Sequence, residues 1–324
     1  MRLARWKHGV EIGEGFVIGD TVVPFANGLR VSEVLEQGLG AAHDLYARTD
    51  TSTATPLADV QLLAPLVPAA IRDFVAFEEH VEGVSASVDG KSEVADEWYQ
   101  APTFYFTNPH TVLGPGDAVS PPKTERLDFE LELAVVIGAA PGSDGMNLSA
   151  EVAASHIFGY TIMNDWSARD LQAREMKVRL GPAKGKDFGT TLGPWIVSAD
   201  ELAPFLDADG FLAVRAEVFV NNNLIGEDLV SNMGWTFPEL VAYAARNSKV
   251  VPGDVLGSGT VGNGGCLGEL WGRAGELIPP PLAEGDEVRM TVEGIGELVG
   301  YVGAIQPTPG LSSARPRSRE RTRG

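Results

Sequence analysis

Two glutamates on one predicted strand are the first side chains whose type and spacing suggest chemistry. The segment Asp128-Phe-Glu-Leu-Glu-Leu133 alternates acidic and apolar residues. Because neighbouring side chains of a strand point to opposite faces, Glu130 and Glu132 share one face. Taken alone, such a pattern is typical of the solvated face of a half-buried strand. The pair indicates a site only if other acidic groups converge on it.

Two aspartates occur where they could join this pair. Asp165 follows the apolar segment 158–163, at the end of a predicted buried strand where a charge is unusual. Asp73 lies in Ile71-Arg-Asp-Phe74, which we interpret as the start of a helix, and a helix-terminal charge is the alternative explanation there. Four converging carboxylates would repel one another. A hard divalent cation such as Mg²⁺, Mn²⁺ or Ca²⁺, which prefers oxygen ligands, would relieve that repulsion.

The composition restricts the function classes. The chain has 324 residues, 44% of them apolar, and 44 Asp and Glu against 25 Lys and Arg, for a net charge of −19. Residues 308–324 carry five Arg and one Glu, so the rest of the chain is at −23. So negative a field repels phosphate backbones and argues against a nucleic-acid partner. The basic tail could suggest an RNA or membrane patch, but a solvated disordered segment is the preferred interpretation.

The expected location follows from three absences in the sequence. Cys266 is the only cysteine, so neither an intramolecular disulfide nor a zinc site built of several cysteines can form. The cationic N-terminal segment is not followed by the apolar stretch of a signal peptide. No run approaches the roughly 18 apolar residues of a membrane span. We therefore expect a cytoplasmic protein without a membrane partner.

Strand patterns dominate the chain and predict an α+β fold that is predominantly β. We expect a small N-terminal α/β region over 1–62, with two strands in 1–25 and a helix at 29–47, a catalytic domain over 63–307, and a disordered tail over 308–324. Within the catalytic domain, strands are predicted at 128–138, 158–163, 211–220 and 286–303, and helices at 149–156, 166–175 and 236–247.

A glycine-rich segment matches the sequence pattern of a different function, dinucleotide binding. Gly257-Ser-Gly-Thr-Val-Gly262 fits the G-x-G-x-x-G pattern of dinucleotide binding. The residues that follow predict no helix, and no βαβ unit surrounds the segment. Dinucleotide binding is therefore not expected.

Several segments together resemble the fumarylacetoacetate hydrolase family. They occur in the family's order and cover about residues 66 to 305. The matching segments are Arg72-Asp-Phe-Val-Ala-Phe-Glu-Glu-His80, Arg126-Leu-Asp-Phe-Glu-Leu-Glu132, Met163-Asn-Asp-Trp-Ser-Ala-Arg-Asp-Leu-Gln172, Leu180-Gly-Pro-Ala-Lys-Gly-Lys-Asp-Phe-Gly-Thr-Thr191, Pro252-Gly-Asp-Val-Leu-Gly-Ser-Gly-Thr260 and Glu269-Leu-Trp271. The resemblance implies a mixed-strand β-roll with peripheral helices, assembled as a homodimer.

The resemblance also implies the site. A divalent cation, Mg²⁺ first and Mn²⁺ or Ca²⁺ as alternatives, would be held by Asp73, Glu130, Glu132 and Asp165, the four residues that the spacing already suggests. The implied catalytic residues match His80, Glu269 and Lys186. A carboxylate on one nitrogen of His80 would let the other take a proton from water, and Lys186 would stabilise an oxyanion or enolate. For Glu269, a charge in a strand-end turn is the alternative.

The implied substrate-binding residues are Arg169, Gln172, Tyr105 and Thr260. Arg169 and Gln172 follow Asp165 at four and seven residues, a spacing that places side chains on one helical face. An ion pair of Arg169 with Asp165 and a core position for Tyr105 remain open as alternatives.

Two departures from the family pattern concern the distal end of the substrate. Val75 stands where fumarylacetoacetases have a tyrosine, and the arginine expected beyond His80 is absent from 81–89. Both losses remove polar contacts to a distal carboxylate, so we expect a more apolar distal pocket.

The resemblance and the residues together imply a hydrolase that cleaves a carbon–carbon bond of a small 2-oxo or diketo acid, of the acylpyruvate or fumarylacetoacetate type. The alternatives are an oxaloacetate-type decarboxylase or tautomerase on the same metal and, outside catalysis, a structural cation site. Retention of both His80 and Glu269 favours hydrolysis, because enolate chemistry alone needs no water-activating pair.

Overall fold

Nineteen strands and seven α-helices make up the part of the chain that the computed structural model describes, residues 1–89, 94–314 and 316. The strands are β1 (Arg2–His8), β2 (Glu11–Ile18), β3 (Thr21–Pro24), β4 (Thr55–Pro56), β5 (Gln61–Leu63), β6 (Ile71–Phe74), β7 (Phe104–Thr107), β8 (Val112–Leu113), β9 (Ala118–Val119), β10 (Leu127–Asp128), β11 (Leu131–Ile137), β12 (Ile157–Asp165), β13 (Ser167–Ala168), β14 (Thr190–Ser198), β15 (Arg215–Val220), β16 (Asn223–Leu229), β17 (Val255–Gly257), β18 (Glu287–Val292) and β19 (Gly296–Val302). The helices are α1 (Val31–Ala47), α2 (Glu78–Asp89), α3 (Ala150–Ala154), α4 (Arg169–Met176), α5 (Ala199–Leu202), α6 (Phe237–Ala245) and α7 (Leu267–Ala274).

A 12-stranded mixed sheet forms the centre of the molecule, in the order β4-β3-β2-β1-β14-β12-β11-β17-β6-β7, with β5 on β1 and β8 on β14. Most neighbours are antiparallel, whereas β17 with β6 and β14 with β8 are parallel. A second sheet has the order β16-β15-β18-β19-β9. The expected strand-dominated α+β fold with helices at its periphery is confirmed.

The middle of the large sheet is buried on both faces, which is why its strands are almost continuously apolar. On one face, Leu131 and Leu133 of β11 pack in a core shared with α6 and the five-stranded sheet. On the other face, Ala134 and Val136 pack against the N-terminal strands and α1. Glu132 lies between Leu131 and Leu133, and its burial shows that the alternating segment is not a solvated strand face.

The N-terminal region joins the same sheet through two pairings. Strand β1 pairs with β14, where Leu3 lies opposite Ile196, and it also pairs with β5, which extends to Leu63. Segment 1–25 forms three strands instead of the expected two, since the chain turns again before β3. The boundary at residue 62 remains a prediction, although β5 crosses it.

Several predicted elements have different limits in the structure. The strand expected at 128–138 is interrupted at Phe129 and Glu130. Before this break β10 pairs with β13, and after it β11 pairs with β12 and β17. The helix expected at 166–175 begins only at Arg169. The segment 286–303 is a hairpin of β18 and β19. Asp73 lies on a strand, β6, and the following helix begins five residues later.

Of the predicted tail, residues 308–314 are exposed and lack regular structure, while 315 and 317–324 lie outside the described residues. In the described ranges, every helix is too short or too polar to cross a lipid bilayer.

Candidate active site

The sheet brings the four predicted acidic ligands to one place. Asp73 lies on β6, Glu132 on β11 and Asp165 at the end of β12, while Glu130 lies in the break before β11. All four are at least 96% buried. In the sheet order β17 separates β11 from β6, so side chains from strands far apart in sequence meet across it.

The position of β17 explains why a glycine is needed between the acids. Gly257 pairs with Asp73 on one side and with Ala134 on the other. A Cβ atom at Gly257 would lie 2.6 Å from Oε2 of Glu132 and 2.9 Å from Oδ1 of Asp73. The first glycine of the rejected dinucleotide pattern thus makes room for two carboxylates.

Three of the acids form a compact set of oxygen donors. Asp73, Glu130 and Glu132 each place a carboxylate oxygen within 4.8 Å of the others. Oδ1 of Asp73, Oε1 of Glu132 and Oδ1 of Asp165 are buried and have no hydrogen-bond partner among the described residues. Buried oxygens without donors are costly unless a ligand satisfies them, so the arrangement fits a hard divalent cation. Asp165 lies beside this set and contacts it through Tyr105 and Lys186.

The electrostatics of the cluster point the same way. Burial, followed by the neighbouring negative charges, raises the pKa of Glu132 well above its ordinary value, and burial likewise raises the pKa values of Asp73 and Asp165. Burial alone would also raise the pKa of Glu130, but the cations of Lys186 and Arg169 hold it below its ordinary value. The site therefore favours a bound positive charge. Without a cation, the raised pKa values mean that Asp73, Glu132 and Asp165 tend to keep protons instead.

Lys186 supplies a permanent cation inside the cluster. It is 3% exposed, and its Nζ atom lies 2.7 Å from Oδ2 of Asp165 and also donates to Glu130. Burial opposes its charge, but Asp165 and Glu130 together raise the pKa of Lys186 above its ordinary value. The ammonium group is thus available to stabilise negative charge that develops nearby.

Arg169 and Gln172 lie on α4 and contact each other. Nη1 of Arg169 donates to Oε1 of Gln172 at 3.1 Å, and Nη2 lies 2.8 Å from Oε1 of Glu130. The alternative ion pair with Asp165 is not formed, because β12 ends at Asp165 and the helix starts only at Arg169. Arg169 instead pairs with Asp128, a residue that the sequence analysis did not nominate.

His80 lies on α2, and its ring is nearly completely buried. Burial and, to a lesser degree, the Arg169 and Lys186 cations lower the pKa of His80 to about 4, against the opposing effect of Glu130. The imidazole is therefore neutral at physiological pH and can accept a proton. Its Nδ1 atom lies 3.7 Å from Sγ of Cys266.

Glu269 lies on α7, a helix that begins five residues after the glycine-rich segment and that the sequence analysis did not predict. Its carboxylate pairs with Arg273 at 2.6 Å, and no hydrogen bond joins it to His80 within the described residues. Helix α7 nevertheless packs closely on α2, since a Cβ atom at Gly83 would lie 2.3 Å from Cγ of Glu269. Burial raises the pKa of Glu269 to about 7, although Arg273 opposes this shift.

A cavity of about 660 Å³ joins most of these groups, but Asp165 and Glu269 are not among its lining residues. Tyr105 lines it and donates to Oδ2 of Asp73 at 2.8 Å, so this tyrosine belongs to the site and not only to the core. Thr260 lines it as well. The remaining walls are largely apolar and include Val75, Val84 and Phe104, while the exposed Arg179 lies among the lining residues.

Comparison with known proteins gives a consistent result. The family model described as "Fumarylacetoacetate (FAA) hydrolase C-terminal" matches residues 69–303. The chain is 31% identical to the fumarylacetoacetase of Arabidopsis thaliana over 78% of this chain and 73% of the relative. It is 29% identical to the oxaloacetate tautomerase YisK of Bacillus subtilis, over 76% of this chain and 74% of the relative.

Solved structures show the same fold. The fumarylacetoacetate hydrolase of Exiguobacterium antarcticum matches with a TM-score of 0.72 and 26% identity, over 94% of this chain and 99% of that one. The maleylpyruvate hydrolase of Sphingobium sp. SYK-6, solved with manganese(II) and pyruvate, matches with a TM-score of 0.67 and 23% identity, over 94% of this chain and all of the other.

Proposed function

Since the chain belongs to the fumarylacetoacetate hydrolase family, we propose that it is a divalent-metal-dependent hydrolase that cleaves a carbon–carbon bond of a β-diketone acid. The substrate class is an acylpyruvate or a fumarylacetoacetate-type acid. One observation carries the proposal: a neutral buried histidine, a buried lysine and three clustered carboxylates line the same cavity.

The proposed cation is Mg²⁺, with Mn²⁺ as the main alternative. Asp73, Glu130, Glu132 and Asp165 would hold it, and the unpartnered buried oxygens of the cluster support this assignment. When bound, the ion supplies Lewis-acid polarisation of substrate oxygens. The manganese complex of the maleylpyruvate hydrolase is consistent with the donor set, since it belongs to the same fold.

In the proposed reaction the chain's own side chains handle the proton and the charge. His80 takes a proton from water that attacks the distal carbonyl, which its low pKa permits because the ring is neutral. Lys186 and Arg169 donate to the oxygens on which negative charge develops. In this structure Oε1 of Glu269 pairs with Arg273, and Oε2 has no hydrogen-bond partner among the described residues, so the proposed pairing with His80 would use Oε2.

A substrate screen tests the proposal. Purified protein with Mg²⁺ or Mn²⁺ is given acylpyruvates, fumarylacetoacetate and oxaloacetate, and loss of diketone absorbance is followed separately from CO₂ release. We expect pyruvate without CO₂ from an acylpyruvate, and loss of turnover on chelation. Full activity in a chelated, metal-free sample would contradict the proposed mechanism.

The second candidate is a tautomerase or decarboxylase of oxaloacetate-like acids, and the likeness to an oxaloacetate tautomerase favours it. Such chemistry uses the cation and Lys186 but needs no activated water. Enol–keto conversion or CO₂ from oxaloacetate, with no cleavage of any acylpyruvate, would support this candidate. We further propose a homodimer in the cytoplasm, and light scattering on the purified protein tests the assembly.

A further inference from the structure

Asp128 is a fully buried carboxylate that joins two separate parts of the site. Its Oδ1 atom accepts hydrogen bonds from the backbone N–H groups of Leu267 at 2.7 Å and Phe129 at 2.8 Å. Its Oδ2 atom accepts from the backbone N–H of Gly268 at 2.9 Å and from Nε of Arg169 at 2.7 Å. Both oxygens are therefore fully used.

The first of these parts is the N-terminus of α7. Leu267 and Gly268 are the first two residues of this helix, and their N–H groups have no partner inside it. A negative charge there also interacts favourably with the helix dipole. The residue before them, Cys266, places its sulfur against His80. Asp128 thus fixes the helix terminus that contacts the proposed base.

The second part is Arg169. One guanidinium nitrogen binds Asp128, and the other two reach Glu130 and Gln172. Because the guanidinium is planar and rigid, fixing Nε also fixes the direction of the two nitrogens that contact Glu130 and Gln172. The backbone of Arg169 is a further anchor, donating to the carbonyl of Arg126 near Asp128.

We propose that Asp128 is a positioning residue that holds the His80 side and the Arg169 side of the site in a fixed relation. It acts through α7 and through the guanidinium, and it does not line the cavity. The expected effect on the reaction rate rests on the proposed function, whereas the role of Asp128 in holding α7 and Arg169 does not. Misplacement of reacting groups by about 1 Å can cost on the order of 100-fold in rate.

The first test is Asp128→Asn, which keeps the shape and leaves a single acceptor oxygen for four donors. We expect kcat to fall about 10- to 100-fold with little change in KM. In a double-mutant cycle with Arg169→Gln, the combined loss should be smaller than the product of the single losses, because part of the effect passes through Arg169. Wild-type kcat in Asp128→Asn, or fully multiplicative losses, would overturn the proposal.

A readout that does not depend on turnover uses the only cysteine of the chain. Cys266 is completely buried, so its reaction with an aromatic disulfide reagent reports local opening at the start of α7. We expect Asp128→Asn to accelerate this reaction at least about 10-fold. An unchanged thiol rate would overturn the proposal. If no acylpyruvate is cleaved by wild-type protein, the proposed function fails while the thiol measurement still decides on Asp128.

Two further variants separate positioning from general stability. Gly268→Ala would place a Cβ atom 3.1 Å from both Oδ2 of Asp128 and Nε of Arg169. It should therefore disturb this ion pair without removing a charge. If Asp128→Asn does not fold, Gly268→Ala takes its place in the kcat and thiol measurements. Asp254→Asn is the matched control, since Asp254 is 2% exposed and pairs with Arg72 at 3.1 Å. It should lower the melting temperature while leaving kcat and the Cys266 rate near wild type. Equal effects of Asp254→Asn on the thiol rate would contradict a specific role.

Discussion

The sulfur of Cys266 lies 3.7 Å from Nδ1 of His80. The same sulfur accepts the backbone N–H of Glu269 at 3.4 Å, so the thiol is held at the start of α7. With Nδ1 facing sulfur, Nε2 is the nitrogen left to act on water, and within the described residues it forms no hydrogen bond. This arrangement gives the imidazole a fixed orientation inside the cavity.

Removing this imidazole should stop hydrolysis while sparing the cation site. We expect His80→Ala to lower kcat by on the order of 10²–10⁴, the scale of general-base loss, with metal content unchanged by elemental analysis. His156→Ala is the control, because His156 is equally buried but binds Ser143 and Gly138 outside the cavity. If wild-type hydrolysis persisted in His80→Ala, another group would have to activate the water. Retained exchange of the α-protons of an oxo acid would show that enolisation is independent of His80.

Gly257 should be required for metal binding. In Gly257→Ala the new methyl group would lie 2.3 Å from Cε of Met163, 2.6 Å from Oε2 of Glu132 and 2.9 Å from Oδ1 of Asp73, so these side chains, the two carboxylates included, must shift. We expect Mn²⁺ affinity to fall at least about 10-fold, as for a group that orients ligands, when measured by calorimetry. Gly40→Ala serves as the control, since a Cβ atom at Gly40 meets nothing within 4 Å. Unchanged Mn²⁺ affinity in Gly257→Ala would show that the acidic cluster is not the Mn²⁺ site.

Stability of the metal-free protein should fall as pH rises. The pKa values of Asp73, Glu132 and Asp165 are raised in the folded state above their ordinary values of 3.8 and 4.5. The folded state therefore keeps protons that the unfolded state releases, and this stabilisation is complete below pH 3.8 and is lost progressively above pH 4.5. Melting temperatures across pH 5–8, measured with chelator and with Mn²⁺, check this.

A bound cation should abolish most of that dependence, because it takes the place of the protons. His80 contributes in the opposite direction: its pKa is lowered, so its share of stability increases with pH up to its ordinary value of 6.5. A chelated protein whose melting temperature rose steadily from pH 5 to 8 would contradict the assignment of the three carboxyls.

Substrate preference should follow the apolar wall of the cavity. Val75, Val84 and Phe104 line it, so a neutral acyl chain gains about 0.8 kcal/mol, or roughly fourfold in kcat/KM, per buried CH₂. We expect neutral acylpyruvates to be preferred over fumarylacetoacetate, whose distal carboxylate would be buried without a partner. Competition assays on the metal-loaded enzyme check the ranking.

The opposite ranking would point to a cation that holds the distal carboxylate. Arg169 is already committed to Asp128 and Glu130, whereas Arg179 lines the cavity and forms no ion pair within the described ranges. In that case Arg179→Gln should selectively lower turnover of the charged substrate. Lys177→Gln, on the same exposed segment but outside the cavity lining, is the control.

Sequence reasoning predicted most of the buried sheet because its signal is local. The alternation at the start of β11 and the apolar run of β12 specify strands without help from distant residues; Glu132 lies at the start of β11 with Glu130 directly before the strand, and β12 ends at Asp165. The family resemblance then placed Lys186, Arg169 and Tyr105 in the same site, and the structure brings all three to the acidic cluster.

The errors occurred where distant contacts decide the local structure. Strand β6 contains Arg72 and Asp73, which do not resemble a buried strand; Arg72 is neutralised by Asp254, 182 residues away. Helix α7 begins after a run of glycines and contains Gly268, but Asp128 binds its terminal N–H groups from 139 and 140 residues away. Neither contact can be inferred from the segments themselves.

The pairing of β1 with β14 has a consequence for anyone shortening this chain. A fragment starting at residue 63 would expose the backbone of Ile196 and Val197, which β1 now covers. It would also lack α1, whose apolar residues pack on the face of the sheet that contains Met163, so this face would be exposed two residues before Asp165. Open strand edges beside bare apolar surface promote association between molecules. We therefore expect such a fragment to aggregate, so its lack of activity would say nothing about the site.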